Sequence, residues 1–85
     1  MYLYIGGDTA LEEDRIIGIF DLDNTSWSHM TRKYLSLAEQ AGHIKNTAED
    51  IPRSFVVCSD ETVLLTQPST ATLVRRLENQ EKSNV

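Results

Sequence analysis

Two short apolar runs, each bounded by polar residues, limit what this chain can fold into more than any other feature of its sequence. Residues 16–20 read IIGIF and residues 55–58 read FVVC. Such runs are too short for ordinary helices, and their β-branched and aromatic side chains favour strands. We therefore predict that residues 15–21 form a central strand buried on both faces, and that residues 53–59 form a second buried strand.

Turn signals and β-prone segments predict the remaining strands. One of them forms a hairpin with residues 53–59 across an acidic turn at Asp60 and Glu61, although that turn lacks the glycine that hairpins favour. These further strands are predicted at residues 2–5, 43–45 and 62–66, with 43–45 as a short edge strand, and residues 9–11 are a candidate for one additional short strand.

Two helices are predicted from their caps and from the spacing of their apolar residues. Residues 23–28 are rich in capping side chains and open the first helix, which Gly42 closes. Pro68 and Ser69 open the second helix. The apolar residues of the first helix recur at helical spacing, at Met30, Tyr34, Leu37, Ala38 and Ala41.

These elements predict an α+β fold built as one small domain. We expect a single-layer mixed or antiparallel sheet of about five short strands with two helices, in the order β-β-α-β-β-β-α. The domain covers residues 1–77, and residues 78–85 are predicted to be a polar, frayed tail. A chain of 85 residues buries a modest fraction of its surface alone, so oligomerisation is a natural way to bury more.

Charge, hydropathy and cysteine content limit which cellular compartment and which kinds of partner are expected. The chain has 8 basic and 13 acidic residues and a net charge of −5, which argues against a lone nucleic-acid-binding module. No apolar run approaches the roughly 18 residues that span a bilayer, and the N-terminus lacks a signal-peptide core, so no membrane partner is expected. The single cysteine, Cys58, fits a reducing compartment. We therefore predict a cytoplasmic protein.

The segment at residues 17–25 resembles the first motif of haloacid-dehalogenase-type phosphatases. In that family the residue matching Asp21 attacks phosphorus, and the residue matching Asp23 acts as general acid and base. The rest of the site has only superficial matches, with Lys45 as the lysine and residues 60–61 as the acidic pair. Because such enzymes use a doubly wound sheet of well over 85 residues, we predict no enzyme, no catalytic residue, no metal and no cofactor.

Most of the chain resembles a family of bacterial regulators. The similarity runs from about Met1 to Leu77, in order and at matching spacing. Its parts are YLYIG at 2–6, DRIIGIFD at 14–21, and PRSFVVC at 52–58, continuing through TVLL at 62–65 to PSTATL at 68–73. These features are similar to the extracellular-matrix regulatory protein family of the RemA/RemB type, and the GIFD strand is closer to its RemB (YaaB-like) branch.

The resemblance implies a ring-like homo-oligomer that regulates transcription of biofilm-matrix genes and binds double-stranded DNA along an arginine-bearing rim. Such binding depends on phosphate neutralisation and on DNA shape. The matching positions imply DNA contacts by Arg15 and Arg53. Lys45, Arg75 and Arg76 are further candidates, and a paralogue is a further candidate partner.

One departure from the family opens an alternative. Residues 49–52 read EDIP where RemA-type members carry paired arginines, and the two acids repel phosphate. The alternative is an oligomeric protein-interaction module that has lost DNA binding, and the phosphatase stays as a third hypothesis. Trp27 is interpreted as a packing or subunit-interface anchor, and His29 and His43 do not suggest a metal site.

Overall fold

The computed structural model describes residues 2–6, 9–22 and 29–83, the last four of them as backbone only. The predicted capping segment 23–28, with Asp23 and Trp27, lies outside the described residues. A 3-10 turn, Glu13–Arg15, joins the second strand to the third. The elements are β1 Tyr2–Gly6, β2 Thr9–Glu12, β3 Ile16–Asp21, α1 His29–Gln40, β4 Ile44–Asn46, β5 Ser54–Cys58, β6 Val63–Thr66 and α2 Thr70–Ser83.

The strands form two sheets. The α+β class and the two helices are confirmed, but the described strands number six and divide into two sheets, whereas the sequence suggested one sheet of about five. The smaller sheet is the antiparallel pair β1–β2. The larger sheet has the order β3-β5-β6-β4, in which β4 is parallel to β6 and the other pairs are antiparallel. The division arises because β2 turns back on β1 and not onto the larger sheet.

The larger sheet packs against other elements on both faces, and β5 shows how. Successive side chains of a strand point to opposite faces, and β5 places Val56 and Cys58 in one apolar cluster and Phe55 in another. The first cluster joins the sheet to β1, β2 and α2 through Leu3, Ile5, Leu11, Leu64 and Leu73. The second joins it to α1 through Ala38, with Leu22, Leu35, Ile44, Val57, Val63 and Leu65.

The third strand departs from its prediction. The sequence predicted a central strand buried on both faces, but β3 lies at the edge of the larger sheet and is only half-buried. A bulge decides which isoleucines of β3 face the core. The register shifts between Ile16 and Gly18, so Ile17 is the extra residue. Ile16 and Ile19 pack on the first cluster. The isoleucine at 17 is exposed instead.

The helix ends follow the sequence closely. Gly42 has φ 77°, and the N–H groups of Gly42 and His43 donate to the carbonyls of Glu39 and Ala38, which is a Schellman motif and confirms the predicted stop. Ser69 caps α2, since its Oγ accepts from the N–H of Thr72 at 3.2 Å. The helix then continues through the predicted tail to residue 83, because residues 78–82 are mostly good helix formers.

The hairpin between β5 and β6 is confirmed. An acidic residue occupies the turn position where hairpins favour glycine. Glu61 adopts φ 72°, the left-handed conformation that glycine usually supplies. Oδ1 of Asp60 accepts from the N–H of Thr62 at 3.1 Å and fixes the turn.

Two fully buried hydroxyls tie the far end of this hairpin to α2. Ser54 Oγ donates to the carbonyl of Pro68 at 2.7 Å, Thr66 Oγ1 donates to the carbonyl of Ser54 at 3.2 Å, and the two hydroxyls contact each other. Because buried polar groups left without partners are costly, we expect Ser54→Ala to lower the free energy of unfolding by about 1–3 kcal/mol. Urea unfolding measures the change.

The matched control for this prediction is Ser36→Ala on the exposed face of α1. That substitution removes the same hydroxyl from a solvated helix position, so its effect should stay within about 0.5 kcal/mol. If Ser54→Ala and Ser36→Ala give the same unfolding free energy, the buried hydroxyl pair contributes nothing to the domain.

Candidate functional site

The described surface has an open apolar groove between β3 and α1. The helix packs against β4, at the opposite edge of the sheet from β3. Among the residues that the structure describes, no element therefore covers β3 on this face, whereas Phe55 of β5 is buried there. The groove is defined here by its five large exposed side chains: Ile17 (67% exposed), Phe20 (47%), Met30 (71%), Tyr34 (43%) and Leu37 (55%).

The apolar stripe of α1 has a different role from that of an ordinary core-facing stripe. Of its five members only Ala38 is buried, while Met30, Tyr34, Leu37 and Ala41 are exposed. In a surface helix such a stripe usually faces the core of the same domain. The stripe of α1 instead forms one wall of the groove.

The floor of the groove is built by an aromatic pair and a glycine. The rings of Phe20 and Phe55 stack with centroids 5.1 Å apart and an interplanar angle of 20°. A Cβ on Gly18 would lie 2.7 Å from Cε2 of the Phe20 ring. The glycine of the IIGIF run therefore lets the ring lie flat over β3, and the hollow beside it has a volume of about 450 Å³.

The groove continues along α1. A second hollow of about 410 Å³, towards the end of α1, shares Ile17, Tyr34 and Val57 with the first. At about 200 Å² for a large side chain, the five exposed fractions amount to on the order of 500 Å² of apolar surface. Patches of that size on a monomer are commonly interaction sites.

Arg15 is held in an ion pair at one end of β5. Its Nη2 contacts Oδ2 of Asp60, with both side chains nearly half exposed. Hydrogen bonds from Thr62 and, secondarily, the charge of Arg15 hold the pKa of Asp60 below its usual value. The guanidinium is therefore partly neutralised within its own protomer.

Arg53 lies at the opposite end of β5. Its carbonyl accepts from the N–H of Leu22, whereas the carbonyl of Arg15 accepts from the N–H of Ser59 beyond the other end of the strand. At a rise of about 3.3 Å per residue, the two arginine backbones are roughly 20 Å apart. Within one protomer the two predicted DNA contacts do not converge.

The further basic candidates divide between these two ends. Lys45 lines the same hollow as Arg15, together with His43 and Asp60, in a cavity of about 630 Å³. Arg76 donates to the carbonyl of Tyr4 at 2.7 Å.

Acidic residues accompany this last arginine. Arg76 lines a hollow with Glu49 and Asp50, the acids that stand in place of the family's paired arginines. Arg75, its neighbour on α2, is exposed. Each end of the protomer therefore carries both signs of charge.

The residues suggested for a phosphatase do not form one site. Asp21 ends β3 opposite Ser54, and Asp60 follows the other end of β5. The nucleophile candidate and the acidic pair are thus separated by the length of a strand. Among the residues that the structure describes, no group of three potential metal ligands is found.

The only thiol is a core residue. Cys58 is buried in the first cluster, and burial, helped by the charge of Asp60, raises the pKa of its thiol. A raised pKa disfavours the thiolate that nucleophilic chemistry requires.

Comparison with known proteins found no matching protein family and no matching curated protein. The resemblance to the RemA/RemB type therefore stays a prediction from the sequence. In the described part of the chain, no helix has the length and apolar character to cross a bilayer.

Proposed function

We propose that this chain is the subunit of a homo-oligomer that works as a protein-interaction module. The observation that carries the proposal is the apolar groove, in which two elements present large side chains to solvent on one side of a small domain. Covering about 500 Å² on each of two copies, at about 25 cal/mol per Å², yields on the order of 25 kcal/mol. Association offsets this gross gain by roughly 4–15 kcal/mol of lost freedom and by side-chain ordering and polar desolvation, so the area identifies the driving force and gives no binding constant.

The distribution of charge favours this function over DNA binding by a single protomer. Arg15 is paired with Asp60, and Arg76 shares its hollow with two acids. The net charge of −5 has the opposite sign to the one that phosphate binding favours. Apolar burial is the stronger driving force available to this domain.

Light scattering of the wild-type chain over a dilution series tests the proposal. We expect a mass of at least two subunits at about 100 µM that falls towards one subunit on dilution, because dimer stability depends on protomer concentration. A mass of one 9.6 kDa subunit at every concentration would contradict the proposal.

The second candidate is the DNA-binding regulator that the family resemblance implies. The supporting observation is that exposed basic residues lie at both ends of each protomer, with Arg15 and Lys45 at one end and Arg53 at the other. Neighbouring copies in an assembly therefore have a way to align basic ends along one rim, which a single copy lacks. A ring is one assembly that would do so.

A mobility-shift titration at several salt concentrations tests this candidate. If the assembly binds duplex DNA, Arg15→Ala and Arg53→Ala should each weaken binding several-fold and reduce the slope of log affinity against log salt by roughly 0.9 per lost phosphate contact. Lys33→Ala on the exposed face of α1 is the control and should leave the slope unchanged. No shift of any duplex at about 50 mM salt, alone or with a paralogue, would contradict DNA binding.

A further inference from the structure

A cavity on the other face of the larger sheet combines an apolar floor with a charged rim. It lies between β2 and the edge strand β4 and has a volume of about 630 Å³. Its floor includes three buried side chains of the first cluster, Leu11, Cys58 and Leu64. The groove lies on the opposite face, where Phe55 belongs to the second cluster. The cavity is therefore separate from the surface that carries the proposed function.

The register of β4 directs Lys45 over this floor. Ile44 packs on the second cluster, and successive side chains of a strand point to opposite faces. Lys45 therefore points to the face of the first cluster, where it lies opposite Leu64 of β6. Its side chain is exposed and lines the cavity. Among residues 2–6, 9–22 and 29–83, no acidic side chain forms an ion pair with Lys45, so its charge is available to a ligand.

The rest of the rim supplies one further cation and one acid. Arg15 and Asp60 both line the cavity and form an ion pair with each other. The contact with Asp60 uses Nη2 of Arg15, and a guanidinium has further N–H donors. Together with Lys45, these three side chains sum to one positive charge, in a chain whose net charge is −5. The imidazole of His43 and the hydroxyl of Thr62 add hydrogen-bonding groups to the lining.

We propose that this cavity binds a small organic anion with one negative charge and an apolar body, of the size and chemistry of an aromatic carboxylate. The negative group lies between Lys45 and Arg15, and the apolar body covers the floor. Sites for small molecules commonly combine an apolar lining with a few charged groups in a volume of roughly 300–1,000 Å³. One negative charge matches the net charge of the rim, and the carboxylate of Asp60 disfavours ligands with more.

Three probe molecules separate the two parts of this recognition. Benzoate has the charge and the apolar body, acetate has the charge alone, and benzyl alcohol has a similar ring without the charge. In NMR spectra of the isotopically labelled full chain, benzoate should shift the amides at residues 9–11, 43–45 and 58–64. The shifts should saturate with a Kd on the order of 1 mM, as expected for so small a ligand. Acetate and benzyl alcohol should each bind at least about fivefold more weakly, because each lacks one of the two contacts.

Two substitutions with opposite expected effects test the charged rim. Lys45→Gln removes a positive charge and should weaken benzoate binding at least about threefold, whereas Asp60→Asn removes the competing carboxylate and should strengthen it by a similar factor. The amide oxygen of an asparagine at 60 can still accept from the N–H of Thr62, so the turn is kept. Lys33→Gln on the exposed face of α1 is the matched control and should leave the affinity unchanged. Benzyl alcohol, which is uncharged, should be insensitive to all three substitutions.

Three results would overturn this inference, and none of them depends on whether the chain self-associates. Acetate might shift the same amides as strongly as benzoate does at equal concentration, which would mean that the rim attracts anions through charge alone. Equal benzoate affinity for Lys45→Gln, Asp60→Asn and the wild-type chain would show that the rim does not recognise the charge. Benzoate shifts confined to Ile17, Tyr34 and the rest of the groove would place the ligand on the other face of the sheet.

Discussion

The Ile17→Lys variant is expected to be a folded monomer at concentrations where the wild-type chain self-associates. Ile17 is the bulged residue of β3 and lies 67% exposed, outside both core clusters, so its replacement removes little internal packing. In the proposed homo-oligomer, however, apolar side chains of another copy cover the groove and Ile17 with it. Burying an unpaired ammonium there costs several kcal/mol, so the association constant should fall at least about a hundredfold.

Ile51→Lys is the matched control for this experiment. Ile51 is 76% exposed and lies outside the groove, so the same substitution tests charge and solubility without touching the proposed interface. Light scattering should show wild-type mass for Ile51→Lys and a single subunit for Ile17→Lys, with thermal unfolding checked for both. Equal masses for the two variants would contradict the role of the groove.

The largest effect on stability is expected from Leu73→Ala. Leu73 is fully buried, and together with the partly buried Leu77 it packs α2 on β1 and on the larger sheet. Leucine-to-alanine changes in a core lower the free energy of unfolding by about 2–5 kcal/mol. The variant loses the burial of the leucine side chain and also leaves a cavity in the core. The total stability of a small domain is about 5–15 kcal/mol, so this one change removes a large share of it.

The neighbouring position provides the comparison for Leu73→Ala. Val74 is 39% exposed on the same turn of α2, and Val74→Ala removes apolar atoms from the same helix without opening the core. Urea unfolding should give a loss below about 1 kcal/mol for Val74→Ala. If Leu73→Ala costs no more than Val74→Ala, α2 is not held to the sheet by this side chain.

Local signals in the sequence were sufficient for most of the elements. The β-branched runs predicted β3 and β5, and Gly42 predicted the end of α1, which its left-handed φ and two backbone hydrogen bonds confirm. These features depend on a residue's own side chain and its nearest neighbours along the chain. The turn at Glu61 shows the limit of such signals, because a non-glycine residue accepts the strained conformation.

The candidate site was only partly visible in the sequence. The resemblance drew attention to Arg15 and Arg53, and the structure places them at opposite ends of β5, one of them paired with Asp60. The groove was missed, although a glycine inside the apolar run of β3 was a signal for a bulge. The apolar stripe of α1 did not indicate the groove either, because such a stripe looks the same in sequence whether it meets the core or solvent.

By itself, the sequence determined which segments of this chain are strands and helices. The spacing of apolar side chains differs between a strand and a helix, and it can be read from residues that are close together in the chain. Only the tertiary structure decided that β3 lies at an edge of the described sheet, that β1 and β2 form a sheet of their own, and that α1 leaves Ile17 and Phe20 of β3 exposed. Strand order depends on pairing between residues far apart in the chain, such as Ile16 with Cys58. An apolar strand has the same composition at the centre of a sheet as at an edge that a partner covers.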